Sequence, residues 1–230
     1  IMLFKDFIEF KDFLAKEGIL FCDFCFTDMR GKSHHITYSA DNISSNTFTQ
    51  GLMFDGSSIS GWKEINHSDM IMKPDITSAF IDPFSAHPVL VFFCDIIDPV
   101  GNSLYIRDPR STAKRAESYL LKTSIADQAF FGPELEFFIF DSVRFKNDPN
   151  ECGYSVDSYE GPYNSNKSYD SGESNLGHRP MVKGGYMPVA PVDHLSDLRA
   201  EMSLVLKQVG LITEMHHHEV APSQCELGIQ

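Results

Sequence analysis

Paired carboxylates in segment 132–138 are the first candidates for chemistry in this sequence. If the segment is a strand, Glu134 and Glu136 point to the same face, about 7 Å apart. Two acids among aromatic and aliphatic neighbours are costly unless something balances their charge. An edge strand with one face in water would satisfy them. So would Mg²⁺ or Mn²⁺, which prefer carboxylate oxygens as ligands.

A second acidic segment, 214–226, reads Glu-Met-His-His-His-Glu-Val-Ala-Pro-Ser-Gln-Cys-Glu. The Pro-Ser-Gln within it is typical of a turn, which would fold the chain back and bring Glu219 close to Glu226. The adjacent histidines leave two alternatives open, a core role or a zinc site made by His216, His218 and a carboxylate. Four carboxylates in two clusters favour a hard divalent cation instead.

The third candidate is the loop 54–62, Phe-Asp-Gly-Ser-Ser-Ile-Ser-Gly-Trp. Asp55 would offer an exposed carboxylate beside two hydroxyls, although an ordinary surface turn has the same composition. The sequence contains neither a Walker A motif nor GxGxxG. Any nucleotide would therefore be held through metal ions and side chains rather than by a glycine-rich phosphate loop.

The elements that must position these residues begin with a small mixed domain. Apolar residues at three- and four-residue intervals predict a helix that ends at Gly18. Strand patterns follow over 19–27, 35–38 and 88–97, and the last of these is predicted to be central to a sheet. One helix with several strands predicts an α+β domain over residues 1–106.

The remaining residues, 107–230, are predicted to begin with a second helix. Asp108 can cap it, and Pro109 fits its first turn because the missing N–H would be unpaired there anyway. Its predicted inner face consists of Ala113, Ala116, Tyr119 and Leu120.

Two more strands and a third helix are predicted beyond it. The strands cover 129–140 and 211–220, and the helix is capped by Asp193 and ended by Gly210. The polar stretch 141–182 has little pattern, so we expect it to lack regular structure and to be functional or mobile.

Composition and charge argue against several classes of protein. Of the 230 residues, 42% are hydrophobic and 22% charged, which is typical of soluble globular proteins, and the net charge of −13 opposes a nucleic-acid surface. We expect no membrane span, because the most apolar run covers only 89–93, and no secretory signal. Cys22 and Cys25 are interpreted as small hydrophobic residues of a strand, which suits a reducing, cytoplasmic setting.

Several motifs, in order along nearly the whole chain, resemble the amino-terminal half of bacterial type I glutamine synthetases. They are Asp28 in 26–28, 53–58 with Trp62 and 68–69, 81–84, 107–110, 114–117, 132–138, 177–180 with 183–186, and 216–221.

This resemblance implies a fold and a set of metal ligands. The fold would be a small β-grasp-like domain, 1–106, followed by the incomplete amino-terminal part of a catalytic domain, 107–230, with a curved antiparallel sheet and helices. Two Mg²⁺ or Mn²⁺ ions per site are expected. One would be held by Glu136, Glu219 and Glu226, and the other, which bridges the ATP phosphates, by Glu134.

The resemblance also implies the remaining roles and the reaction. Glu214 would contact ATP. Asp55 would take a proton from ammonium, with a pKa that burial could tune, and Ser58 would be its neighbour in the same catalytic loop. The reaction is the ATP-dependent ligation of ammonia to L-glutamate through γ-glutamyl phosphate. In the family the Asp55 loop enters the active site of an adjacent subunit in a two-ring dodecamer.

Family members are about twice as long as this chain, so we expect it to carry only parts of the site and to be inactive alone. Two alternatives stay open. One is a related ligase that joins glutamate to another amine, and the other is a truncated subunit that binds metal and assembles without turnover.

Overall fold

The computed structural model describes residues 4–161 and 179–230. Gly177 and His178 of the predicted motifs, and the middle of the polar stretch 141–182, lie outside these ranges. The chain divides into two compact units, Ile1–Phe130 and Phe131–Gln230, which are described separately. The predicted boundary between 106 and 107 stays a prediction.

The first helix of the first unit, α1 (Phe7–Glu17), confirms the predicted helix. The carboxylate of Asp6 accepts hydrogen bonds from the backbone N–H groups of Ile8 and Glu9, which caps the first turn. Gly18 ends the helix at φ 65°, a left-handed conformation that favours glycine.

A seven-stranded sheet forms the body of this unit. After α1, the strands and α-helices of the first unit in chain order are β1 (Phe21–Thr27), β2 (Ser33–Ser39), α2 (Ser45–Thr49), β3 (Leu52–Asp55), β4 (Asp69–Pro74), β5 (Phe80–Ile81), β6 (Val89–Asp98), β7 (Ser103–Leu104) and α3 (Pro109–Thr123). The strand order is β2-β1-β6-β4-β3, with β5 and β7 also paired to β6. The predicted central position of β6 is confirmed, and only its pairing with β1 is parallel.

Aromatic side chains fill the core between the sheet and α1. Phe10, Phe24 and Phe92 are fully buried, and the rings of Phe24 and Phe92 stack with centroids 5.6 Å apart. Full burial of one such side chain contributes roughly 1.5–3 kcal/mol. Cys22 on β1 belongs to this core, whereas Cys25 is half-buried on the other face of the strand. Burial raises the pKa of Cys22 to about 12 and that of Cys25 to about 11. Both thiols are therefore protonated and act as small apolar side chains.

The start of α3 is as predicted, but its inner face is not. The carboxylate of Asp108 accepts hydrogen bonds from the N–H groups of Arg110 and Ser111, and Pro109 occupies the first turn. Of the expected apolar face, Ala113, Ala116 and Tyr119 are exposed, with Tyr119 71% accessible, and Leu120 alone is half-buried. Charges hold the helix to the sheet, because Arg110 Nε lies 2.9 Å from a carboxylate oxygen of Asp95 on β6. Apolar spacing alone did not reveal this ionic attachment.

The second unit contains a hairpin and a three-stranded antiparallel sheet. Its elements are β8 (Glu134–Phe138), β9 (Ser142–Asp148), β10 (Glu151–Asp157), α4 (Ser196–Gln208), β11 (Thr213–His218) and β12 (Gln224–Ile229). The sheet has the order β11-β12-β8, and β9 pairs with β10. The expectation of irregular structure from 141 onward is thus wrong for 142–157, where a two-residue turn joins strands of seven residues each.

The predicted cap of α4 is also wrong. Leu195 occupies the capping position without a side-chain hydrogen bond. Asp193 instead pairs with Arg199, whose side chain is 1% exposed, because a buried guanidinium without a partner would be costly. Gly210 follows the last turn at φ 89°, as predicted. None of the helices that the structure describes has the length and apolar character to span a membrane.

Candidate metal and substrate site

The register of the three-stranded sheet brings the candidate acids to one face. Glu226 on β12 lies opposite Glu136 on β8 and opposite His217 on β11. Two residues further along β12, Gly228 lies opposite Glu134. A Cβ on this glycine would lie only 3.1 Å from the side chain of Met215. The face thus carries both predicted acids of β8 together with the last acid of the chain.

The turn between β11 and β12 returns the chain as predicted. Ser223 adopts a left-handed φ of 66°, and the N–H of Glu219 donates to the carbonyl oxygen of Gln224 at 2.8 Å. This closure places Glu219 at the end of the acidic face. The predicted approach of Glu219 and Glu226 is confirmed.

Three side chains form the tightest group of possible metal ligands among the described residues. One ligand atom each from His217, Glu219 and Glu226 lies within 4.8 Å of the others. The His217 Nε2 atom is 3.4 Å from Glu226 Oε2, and Nδ1 is 3.8 Å from Glu219 Oε1. The ring of Tyr186 meets the imidazole edge to face at 5.5 Å and restricts its orientation. Sequence reasoning did not single out His217.

Glu136 belongs to the same face but bonds elsewhere. Its Oε2 atom accepts a hydrogen bond of 2.6 Å from the side-chain amide of Gln224, and it is not one of the three grouped ligands. Its negative charge nevertheless acts on Glu226. Burial raises the pKa of Glu226, and the negative charges of Glu134, Glu219 and Glu136 raise it further, against the opposing effect of a nearby imidazole.

This crowding of carboxylates fits a divalent cation. Oxygen-rich ligands suit Mg²⁺ and Mn²⁺, and a positive ion would relieve the repulsion that raises the pKa of Glu226. His217 adds one nitrogen donor to these oxygen ligands.

The other face of β11 carries the remaining histidines, which do not join the acids. His218 is fully buried, with Nε2 at 2.9 Å from a carboxylate oxygen of Glu160 and Nδ1 at 2.6 Å from the carbonyl oxygen of Glu219. Both nitrogens face acceptors, so the ring donates twice. Burial opposes this charged form, but Glu160 raises the pKa of His218 above its usual value. The proposed zinc set of His216, His218 and a carboxylate is not assembled.

Glu160 is a buried acid that sequence reasoning missed, because it lies in the weakly patterned stretch. Burial alone would raise its pKa, yet hydrogen bonds from His194 and His218 lower it to about 2. The same carboxylate accepts a hydrogen bond from the N–H of Ser223 in the β11–β12 turn. It is therefore ionised and held on several sides.

Glu214, the predicted ATP contact, stands apart from this group. It is exposed and lies where the pairing of β11 with β12 shifts register between Thr213 and Met215. Simple alternation along the strand therefore does not fix the face of its side chain. Its role stays a prediction.

The Asp55 loop belongs to the first unit. Asp55 ends β3 opposite Asp69, and a single 3₁₀ turn, Gly56–Ser58, follows. Its carboxylate accepts bonds of 2.8 and 2.6 Å from the N–H and hydroxyl of Ser57, and one of 3.1 Å from the hydroxyl of Ser58. The hydrogen bonds from Ser57 lower the pKa of Asp55, which is exposed. Within this chain the hydrogen bonds from hydroxyl and amide donors outweigh burial, which acts in the opposite direction.

Packing holds the loop in shape. Gly56 has no room for a side chain, since a Cβ would lie 2.5 Å from the Met70 side chain. Trp62 is buried against Phe26 at 5.3 Å, and its carbonyl oxygen accepts a 2.6 Å bond from the hydroxyl of Tyr105. The loop thus presents Asp55 from a fixed base.

Two protein-family models match the chain, one over each part of the sequence. The glutamine synthetase beta-Grasp domain matches residues 18–99, and the glutamine synthetase catalytic domain matches residues 106–230. The chain belongs to the glutamine synthetase family. The predicted combination of a β-grasp domain with the start of a catalytic domain is confirmed.

Curated relatives in this family are closely similar in sequence. The chain is 53% identical over 226 residues to a glutamine synthetase of Azospirillum brasilense, covering 98% of this chain and 48% of the relative. It is 51% identical over 208 residues to that of Escherichia coli K12, covering 90% of this chain and 44% of the relative. The chain spans about half the length of the curated relatives it matches.

A solved structure supports the fold. The cryo-EM structure of Plasmodium falciparum glutamine synthetase matches with a TM-score of 0.88 and 24% sequence identity, over 99% of this chain and 44% of that chain. At this identity the match concerns the fold alone.

Proposed function

We propose that this chain is part of a glutamate–ammonia ligase that forms L-glutamine, ADP and phosphate from L-glutamate, ammonia and ATP. The observation that carries the proposal is its identity of 53% and 51% to glutamine synthetases across nearly all of its residues. The cluster of glutamates on one sheet face supports it independently, because phosphoryl transfer from ATP needs divalent cations near the transferring group.

The proposed metal ligands are the glutamates of this face. Glu136, Glu219 and Glu226 would hold one Mg²⁺ or Mn²⁺, and Glu134 would contribute to a second ion. The ions would offset negative charge on the transferring phosphoryl group. His217, which lies 3.4 Å from Glu226, would orient that carboxylate. Glu214 is the proposed contact to ATP.

Asp55 is the proposed acceptor of a proton from ammonium. Glutamate's γ-carboxylate takes the γ-phosphoryl group of ATP to give γ-glutamyl phosphate, and ammonia then displaces phosphate. Ammonium must lose a proton before this attack. The ionised Asp55 carboxylate, held by Ser57 and Ser58, offers both a negative charge that attracts ammonium and a base.

We further propose a cytoplasmic enzyme that assembles as a dodecamer, with the Asp55 loop of one subunit serving the site of its neighbour. The relatives are about twice as long, so the remaining ligands and substrate contacts would lie outside these 230 residues.

The test uses the natural polypeptide that contains this chain, at its full length. Glutamine and phosphate formation should require glutamate, ammonium, ATP and Mg²⁺ or Mn²⁺ together. Turnover with methylamine or a polyamine but none with ammonium would support the related amine ligase instead. Metal binding and assembly without phosphate release from ATP would support a non-catalytic subunit.

A further inference from the structure

We propose that Glu160 is a positioning residue, which fixes the β11–β12 connection so that Glu219 and Glu226 face one cation. The inference rests on the proposed metal role of these two acids. Glu160 itself lies on the opposite side of β11 and contributes nothing to the group of three ligands.

One buried oxygen of Glu160 holds both ends of the short connection between β11 and β12. Glu160 is 2% exposed, and its Oε1 atom accepts hydrogen bonds from His218 Nε2, at 2.9 Å, and from the N–H of Ser223. His218 ends β11, and Ser223 directly precedes β12. A single carboxylate thus sets the distance between the two strand ends.

Each held residue is directly tied to a proposed metal ligand. His218 precedes Glu219 in sequence, and its Nδ1 donates to the carbonyl oxygen of Glu219 at 2.6 Å. Ser223 precedes Gln224, whose carbonyl oxygen accepts from the Glu219 N–H and whose side-chain amide donates to Glu136. Displacement of the carboxylate would therefore shift the backbone that carries Glu219 and the amide that holds Glu136.

A neighbouring segment is fastened to the same carboxylate. The other oxygen of Glu160 lies 3.2 Å from Nδ1 of His194. Earlier in that segment Gly185 donates its N–H to the carbonyl oxygen of Val220 at 3.1 Å, and Met187 donates to that of His218 at 3.1 Å. The connection is thus enclosed from this side as well.

The position requires a group that only accepts hydrogen bonds. Oε1 accepts hydrogen bonds from His218 Nε2 and from the N–H of Ser223, and Oε2 lies 3.2 Å from His194 Nδ1. A glutamine of the same shape would turn its NH₂ group either toward the two donors or toward the imidazole of His194, and it carries no negative charge. Glu160→Gln therefore disturbs the connection without a change in side-chain volume.

The experiment measures Mn²⁺ binding to the full-length natural polypeptide, without nucleotide, by the electron paramagnetic resonance signal of free and bound Mn²⁺. Loss of a residue that orients metal ligands typically weakens metal affinity about 10–100-fold, and we expect Glu160→Gln to fall in this range. The spectrum of bound Mn²⁺ should also change, which a loss of stability alone would not cause.

Asp108→Asn is the matched control. Asp108 is another buried acid, 1% exposed, which caps α3 in the first unit. It should lower the melting temperature and leave Mn²⁺ affinity unchanged. If Glu160→Gln does not fold, Glu160→Asp keeps the charge but is one methylene too short to contact His218, Ser223 and His194 together, and it should also weaken Mn²⁺ binding.

Three results would overturn the inference. Wild-type affinity and spectrum in a folded Glu160 variant would show that the carboxylate does not position the ligands. An equal loss of affinity in Asp108→Asn would show a general effect of stability. No Mn²⁺ binding by the wild-type protein would refute the proposed metal site and the inference with it, whereas the first two results leave that site intact.

Discussion

The charge state of Asp55 decides what this residue can contribute to a reaction with ammonium. Asp55→Asn keeps the shape but removes the negative charge and the base. General-base contributions are typically about 10²–10⁴-fold, so glutamine formation should fall by a factor in that range. ATP affinity should change little, because the proposed ATP contact is Glu214. Steady-state glutamine formation and nucleotide titration of the full-length variant measure both. Loss of ATP binding in the variant would contradict the assigned role.

The pH dependence of the reaction provides a second test of Asp55. Hydrogen bonds from Ser57 lower the pKa of its carboxyl below the usual 3.8, so the group is ionised throughout the neutral range. Acid should neutralise it only below that value. We therefore expect Asp55→Asn to lower kcat/KM at every pH across an assay range of about 6 to 9. The midpoints of the plot of kcat/KM against pH should not move. A wild-type midpoint in this range that disappears in the variant would contradict the lowered pKa.

Glu136 distinguishes the ligand set implied by the family from the group seen in the chain. The family implies Glu136, Glu219 and Glu226, whereas the tightest group contains His217 in place of Glu136. A ligand at 100 times its dissociation constant stabilises the native state by about 2.7 kcal/mol. Glu136→Gln should lose most of the rise in melting temperature that Mn²⁺ gives the full-length protein. If Mn²⁺ stabilises this variant as strongly as wild type, Glu136 is not a ligand.

At the scale of elements, the sequence predicts helices and strands whose ends are marked by glycine, proline or turn residues. It does not predict which face of the sheet each side chain of β11 occupies. The carboxyl-terminal end of α1 follows from Gly18, and the return of β12 follows from turn residues before Glu226. Which histidine joins the acids depends on strand parity. The register opposite β12 places His217 beside Glu226, and His218 on the other face contacts Glu160, which lies 58 residues earlier in the chain.

Close approach of a neighbouring segment to β11 makes Gly185 sensitive to any side chain. A Cβ at this position would lie 2.7 Å from the carbonyl oxygen of Glu219 and 2.9 Å from that of Val220. These are backbone atoms and cannot move aside cheaply, so Gly185→Ala should destabilise the protein by about 1–3 kcal/mol and weaken Mn²⁺ binding.

Gly153→Ala is the matched control for this substitution, because no atom lies within 4 Å of its added Cβ. Urea unfolding and Mn²⁺ titration of both variants test the prediction. Equal midpoints and affinities for the two alanine variants would show that the segment yields without cost.

For the whole molecule, the family and the order of its domains were predictable because many motifs occur in sequence along the chain. The exposed apolar surface was not, since the helix pattern of α3 predicted a buried face. Ile125, Phe130 and Phe131 are 83%, 89% and 88% exposed. The number and spacing of apolar residues in the sequence do not tell which of these side chains are buried within the 230 residues and which stay exposed.

This surface predicts the behaviour of the 230 residues expressed alone. Large exposed apolar side chains favour association with other chains, as does the edge of β8 that pairs with no strand in the described ranges 4–161 and 179–230. We expect aggregates or non-native oligomers by size-exclusion chromatography with light scattering, and no glutamine formation. Replacing Phe130 and Phe131 with serine should reduce the association. A monodisperse monomer of the unaltered 230 residues would contradict this expectation.

Sharing of sites between subunits is the prediction at the largest scale. If the Asp55 loop of one subunit serves the metal site of its neighbour, Asp55→Asn and Glu136→Gln damage different halves of each shared site. Mixed oligomers of the two inactive variants would then contain some interfaces where an intact Asp55 meets an intact Glu136. Subunits are mixed during reassembly, and glutamine formation is measured against each variant reassembled alone. Activity should reappear only in the mixture, in proportion to the fraction of intact interfaces. Mixed oligomers, confirmed by co-purification through a different affinity tag on each variant, that recover no activity would mean that Asp55 acts within its own chain or only in the structure.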